Sequence, residues 1–152
     1  MRPRTVLATL AMCFVATLCF GADPNVGTWK LNEAKSKIAA GAPKNNTVVY
    51  DTAGDNIKIT IDGTSGDGKP MHNEWTGKYD GKDYPVTGNS VEDSRSLKKI
   101  NDRTLALTMK KDGKVTGTGR IVLAPDGKSR TVTTTRTDAK GKTISRAVYD
   151  KQ

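Results

Sequence analysis

The sequence predicts an all-β chain folded as a single antiparallel up-and-down β-barrel of about eight to ten strands, and three observations lead there. Short segments that alternate apolar and polar residues recur from Gly27 to Tyr149, separated by glycine-containing turns. The turn spelling Asp-Gly-Lys returns at 67–69, 80–82, 112–114 and 126–128, at irregular intervals that mark repeated hairpins and not a solenoid. A meander of this length leaves two unpaired edges unless it curls and closes.

Taken in order, residues 1–22 have the pattern of a secretory signal. Arg2 and Arg4 precede an uncharged, mostly apolar run from Thr5 to Phe20, and Gly21 and Ala22 are small residues suited to cleavage. The run is too short for a membrane span, so no transmembrane segment is expected. Both cysteines, Cys13 and Cys19, fall inside it, and Met12 and Leu18 stand where a lipid-anchored cysteine needs a small neighbour. The expected mature chain, residues 23–152, is one domain placed in the periplasm or outside the cell. It holds no cysteine, which excludes disulfides, thiol catalysis and thiolate metal sites.

The first strand is Gly27-Thr28-Trp29-Lys30-Leu31. Trp29 is expected to point inward and plug one end of the rolled sheet, while Gly27 lets a neighbouring segment approach closely. Asn32 suits the N-cap of a short helical segment within Glu33–Ala40. Thr47 to Thr52 is β-branched and aromatic, and Ile57, Ile59 and Ile61 alternate with polar residues in the clearest half-buried strand. Further strands are predicted at 71–78, 84–88, 94–100 and 104–110, the last placing Leu105, Leu107 and Met109 on one face. Asp112-Gly113 signals a hairpin into 115–123, where Gly117 and Gly119 predict a bend or bulge. Pro125-Asp126-Gly127 turns into 130–137, and 143–149 closes the series.

Composition narrows the function classes. The chain of 152 residues carries 25 basic and 16 acidic residues, or 23 against 16 once Arg2 and Arg4 are set aside. The excess is scattered as single lysines through the turns, which fits a solvated surface with protected edges. No stacking aromatics interleave with it, so nucleic acid is not an expected partner. Leu, Ile and Val supply only 21 residues after position 22, so the core must be thin or partly polar.

Two segments resemble a known group. The opening Gly27-Thr28-Trp29-Lys30-Leu31 is similar to the first strand of the calycins, the group of lipocalins and intracellular fatty-acid-binding proteins. Arg146-Ala147-Val148-Tyr149-Asp150-Lys151 resembles the Arg-x-Tyr ending of the fatty-acid binders, with one residue more between arginine and tyrosine. The run from His72 to Gly88 resembles small exported bacterial proteins with lipocalin-like barrels. The resemblance implies a barrel that holds a small molecule inside, with Arg146 lying across Trp29 as a seal.

Candidate sites follow from strand phase. Arg136 alternates in phase with Val132, and Arg146 with Ile144 and Val148, so both arginines are expected inside. With Tyr149 they form the candidate ligand-binding set, since guanidinium forks suit carboxylate or phosphate. For Arg146 three places stand open: the seal over Trp29, the solvent at the rim, and the cavity beside Arg136. His72, the only histidine, shares a strand face with Glu74, an arrangement open to an exposed structural pair, a metal ligand or an acid–base pair. No Gly-x-Ser-x-Gly motif occurs, and Asp62–Asp67 lacks the spacing of a calcium loop. The reading that results is a monomeric, non-catalytic exported protein that needs no cofactor and holds a small, partly apolar, hydrophobic or amphipathic molecule. Its rivals are an interaction protein presenting a basic surface to an anionic envelope component, and an enzyme built on His72 and Glu74.

Overall fold

The computed structural model describes residues 21–89, 91–139 and 141–152. Residues 1–20, which hold nearly all of the expected signal segment, lie outside that set. Ten strands follow one another: β1 (Gly27–Leu31), β2 (Lys44–Ala53), β3 (Asn56–Thr64), β4 (Pro70–Gly77), β5 (Tyr84–Thr87), β6 (Ser94–Asn101), β7 (Thr104–Lys111), β8 (Lys114–Leu123), β9 (Ser129–Asp138) and β10 (Gly141–Lys151). Each pairs antiparallel with its neighbours in sequence, and β1 also pairs with β10, so the sheet closes into a barrel. The five residues of β1 serve both edges, with Trp29 opposite Val48 of β2 and Lys151 of β10. No described helix is long and apolar enough to cross a membrane.

The alternating isoleucines and leucines point inward as their period requires: Ile59, Ile61, Leu105, Leu107 and Met109 are all buried. Trp29, Trp75, Ile59 and Leu97 are the large apolar side chains buried most completely. Two expectations gain detail. The helical segment shrinks to one 3₁₀ turn over Glu33–Lys35, capped by Asn32, whose side chain accepts from the Lys35 amide at 3.2 Å. The chain beyond it forms hydrogen bonds to β10 in place of helical ones. Lys37 and Arg146 exchange backbone bonds at 2.7 and 2.8 Å, and the Val148 amide donates to Ser36 Oγ at 2.9 Å. In β8 the irregularity falls at Thr116, between the pairs Met109–Gly117 and Lys110–Val115. Gly119 serves a close approach, since a Cβ there would stand 2.5 Å from the Thr133 carbonyl oxygen of β9.

Candidate functional site

One end of the barrel is packed shut. Trp29 is wholly buried, and its indole Nε1 donates to the Asn25 carbonyl at 2.8 Å. Gly27, at φ +131°, faces Lys151, whose Cε would lie 2.8 Å from any Cβ placed there. The guanidinium over Trp29 is that of Arg130 and not of Arg146, and Lys151 Nζ also approaches the ring, at 5.1 Å. The Arg130 guanidinium carbon sits 4.5 Å from the Trp29 ring centre, 4.4 Å from Tyr50 and 5.4 Å from Tyr149. Its Nε and Nη1 meet no hydrogen-bond partner among the described residues, so the three ring faces are what receive its charge. Burial pushes the Tyr149 phenol up to about 12 and that of Tyr79 higher still.

The misplacement of Arg146 has a clear cause in β10. Ser145, Ala147 and Tyr149 line the interior, which sends Ile144, Arg146 and Val148 outward. Val148 is buried all the same, and the segment around Ser36 and Asn32 bonds to its backbone. Ile144 is 63 % exposed. Arg146 is exposed and donates from Nη1 to the Lys35 carbonyl at 3.2 Å.

The other end holds a cavity of about 100 Å³. Val48, Ile59, Ile61, Leu107, Met109 and Ile121 form its apolar wall, and Tyr149 and Arg130 lie at its floor. Its polar side gathers Asn73, Glu92, Arg95 and Arg136. Arg136 comes from β9, in phase with Val132 and Thr134, and both of those also line the cavity. Glu92, only 1 % exposed, is held by Arg95, which donates to it from both Nε and Nη2. Asn89 Nδ2 adds a bond to Glu92 at 2.9 Å, while Asn89 Oδ1 accepts from the Val91 amide and fixes the turn that carries the glutamate inward. Burial lowers the Arg136 pKa, Glu92 opposes that shift and Arg95 adds to it. Asn73 is 1 % exposed, and its Oδ1 accepts no hydrogen bond among the described residues.

The charge balance of this pocket decides its chemistry. One carboxylate, already engaged by Arg95, faces a second guanidinium, Arg136, that forms no ion pair among the described residues. A buried asparagine oxygen without a donor sits in the same wall. The unpaired guanidinium favours an anionic ligand. Sequence reasoning singled out Arg136 and Tyr149 and missed Glu92, Arg95, Asn73 and Arg130.

No protein-family model matches the chain, and no curated protein matches it in sequence. Among solved structures it is similar to designed barrels. A redesigned β-barrel, mFAP1, bound to DFHBI is 17 % identical over 84 % of this chain and 95 % of that one, with a TM-score of 0.44. EF1p2_mFAP2b, also bound to DFHBI, is 14 % identical over 86 % and 96 %, with a TM-score of 0.49. A fluorescence-activating β-barrel designed de novo is 13 % identical over 87 % of this chain and 100 % of that one, with a TM-score of 0.45. At these identities the likeness reaches no further than the barrel.

His72 and Glu74 sit on the outside of β4, away from the cavity. His72 Nδ1 lies 2.6 Å from Asp62 Oδ1 across the β3–β4 pair, and Nε2 lies 3.9 Å from Glu74. Glu74 pairs with Lys58 at 2.8 Å, and that hydrogen bond lowers its pKa. The arrangement is an exposed chain of polar contacts, Asp62–His72–Glu74–Lys58, across the β3–β4 pair. Among the described residues no group of three or more His, Cys, Asp or Glu side chains is arranged to hold a metal.

Proposed function

We propose that this is an exported, non-catalytic binding protein, and that the cavity takes a small, partly apolar carboxylate. The observation that carries the reading is the excess of guanidinium over carboxylate in the lining, with Arg136 left for the ligand while Arg95 occupies Glu92. Size limits the ligand. A cavity of about 100 Å³ is smaller than the roughly 300 Å³ of pockets that enclose drug-sized molecules. A head group and a short tail fit inside, and a longer tail has to extend beyond the cavity. The likeness to small exported lipocalin-like proteins rests on the run from His72 to Gly88, and the export itself on the N-terminal apolar run.

Calorimetric titration with straight-chain carboxylates of increasing length tests the reading. The wild type is expected to bind short members, Arg136→Gln to bind them at least tenfold more weakly, and Arg146→Gln to bind them as the wild type does. Equal binding by wild type and Arg136→Gln, or no binding by the wild type, overturns the internal anion site.

A further inference from the structure

The lysines and arginines that look scattered in sequence are gathered on one side of the barrel. Strands β6 to β10 carry 12 basic residues and only two acidic ones, Asp138 and Asp150, both near strand ends. Strands β1 to β5 are balanced, with three of each, and there Asp51, Asp62 and Glu74 occupy β2, β3 and β4. Of the 12, Arg95, Arg130 and Arg136 belong to the interior.

Register places several of the others in one row. Residues directly opposed on neighbouring strands share a face, and the pairs run Lys98–Ala106, Ala106–Arg120, Arg120–Thr133, Thr133–Arg146 and Arg146–Lys37. Lys98, Arg120, Thr133, Arg146 and Lys37 are exposed. The cations of β6, β8 and β10 therefore stand on alternate strands, roughly 10 Å apart at the backbone. None of Lys37, Lys98, Arg120 and Arg146 forms an ion pair among the described residues, and the remaining positions of the chain include no Asp or Glu. Beside this row runs a second one, Thr108–Thr118–Thr135, of hydroxyl groups.

We propose that the outer face of β6–β10 docks an extended acidic polysaccharide lying across the strands along the Lys98–Lys37 row. Guanidinium forks at Arg120 and Arg146 suit its carboxylates, and threonine hydroxyls, which donate and accept, suit its hydroxyls. Two other polyanionic partners fit less well. The face has no aromatic side chain on which bases could stack, since the only aromatic residue of β6–β10 is Tyr149, buried inside. Its large exposed apolar residues, Ile100, Val115, Val122 and Ile144, are never directly opposed across a strand pair, so they form no wedge for a membrane.

The test is titration of the full chain with polygalacturonate at low and rising salt, beside duplex DNA and phosphatidylglycerol vesicles. The expected result is salt-sensitive binding of polygalacturonate, weakened at least tenfold in Arg120→Gln/Arg146→Gln and changed less than twofold in Lys58→Gln/Lys69→Gln. The second double variant removes the same charge from the balanced half. Equal losses in both variants reduce the effect to net charge and overturn the docking row. Preference for DNA or vesicles, or no binding at all, overturns the partner. Carboxylate uptake into the cavity is independent of both variants, so failure here leaves the internal site standing.

Discussion

Arg130 and Arg146 show how much a single residue's facing decides. A guanidinium buried without a carboxylate costs several kcal/mol in desolvation, and at Arg130 three ring faces offset that cost. Truncating it removes both the cation–π contacts and the packing of its stem against Trp29. Arg130→Ala is therefore expected to lower stability by about 2 kcal/mol or more, and Arg146→Ala by no more than about 0.5 kcal/mol. Urea midpoints of the two variants check this, and a larger loss at Arg146 would return the seal to β10. The sequence offered little to distinguish the two. Each arginine has an apolar residue two positions away, and Val148 is buried although it stands outside the barrel, which no strand periodicity reveals.

At the scale of elements, the strands and hairpin turns were legible and the β5–β6 connection was not. Ile57 to Ile61 and Leu105 to Met109 alternate cleanly because one face is core and the other water, and register then leaves no choice. Glu92 sits in a connection between β5 and β6, and nothing in Asn89 to Asp93 distinguishes a solvated turn from one folded into the barrel mouth. Its burial is set by Arg95 and Asn89, contacts that exist only once β6 is paired. The hairpin turns carry their signature openly. Asp112 and Gly113 have φ of +50° and +73°, and Gly127 has +69°, with open space around both glycines. Gly113→Val and Gly127→Val should each lose about 1–2 kcal/mol through the backbone alone. Gly119→Ala differs in kind, because its methyl group would press on the Thr133 carbonyl; it is expected to cost more than either, and denaturation midpoints of the three variants rank them. A milder effect at Gly119 would mean that β8 and β9 separate easily there.

For the whole molecule, the two proposals divide function between the inside and the outside of the barrel. The cavity takes its character from Asn73, Glu92, Arg95 and Arg136, contributed by β4, the β5–β6 connection, β6 and β9. The outer basic row takes single residues from the alternate strands β6, β8 and β10, which is why it leaves no charge run in the sequence. Closure itself depends on a single short seam. β1 waits for β10, the last strand, and the Gln152 amide donates to the Thr28 carbonyl at 2.9 Å, bringing the two ends of the barrel's chain side by side. Every other strand pairing joins neighbours in sequence, so the seam supplies the largest loop-closure entropy in folding. A circular permutant joined by a short linker from Gln152 to Asp23 and reopened at Gly127 would turn that seam into an ordinary hairpin. It would leave the β8–β9 pair as the new long-range closure, with β9, β10 and β1 now contiguous at the start of the chain. Stopped-flow refolding should then show a changed rate at nearly unchanged stability, which would locate the slow event of folding in whichever seam is made last.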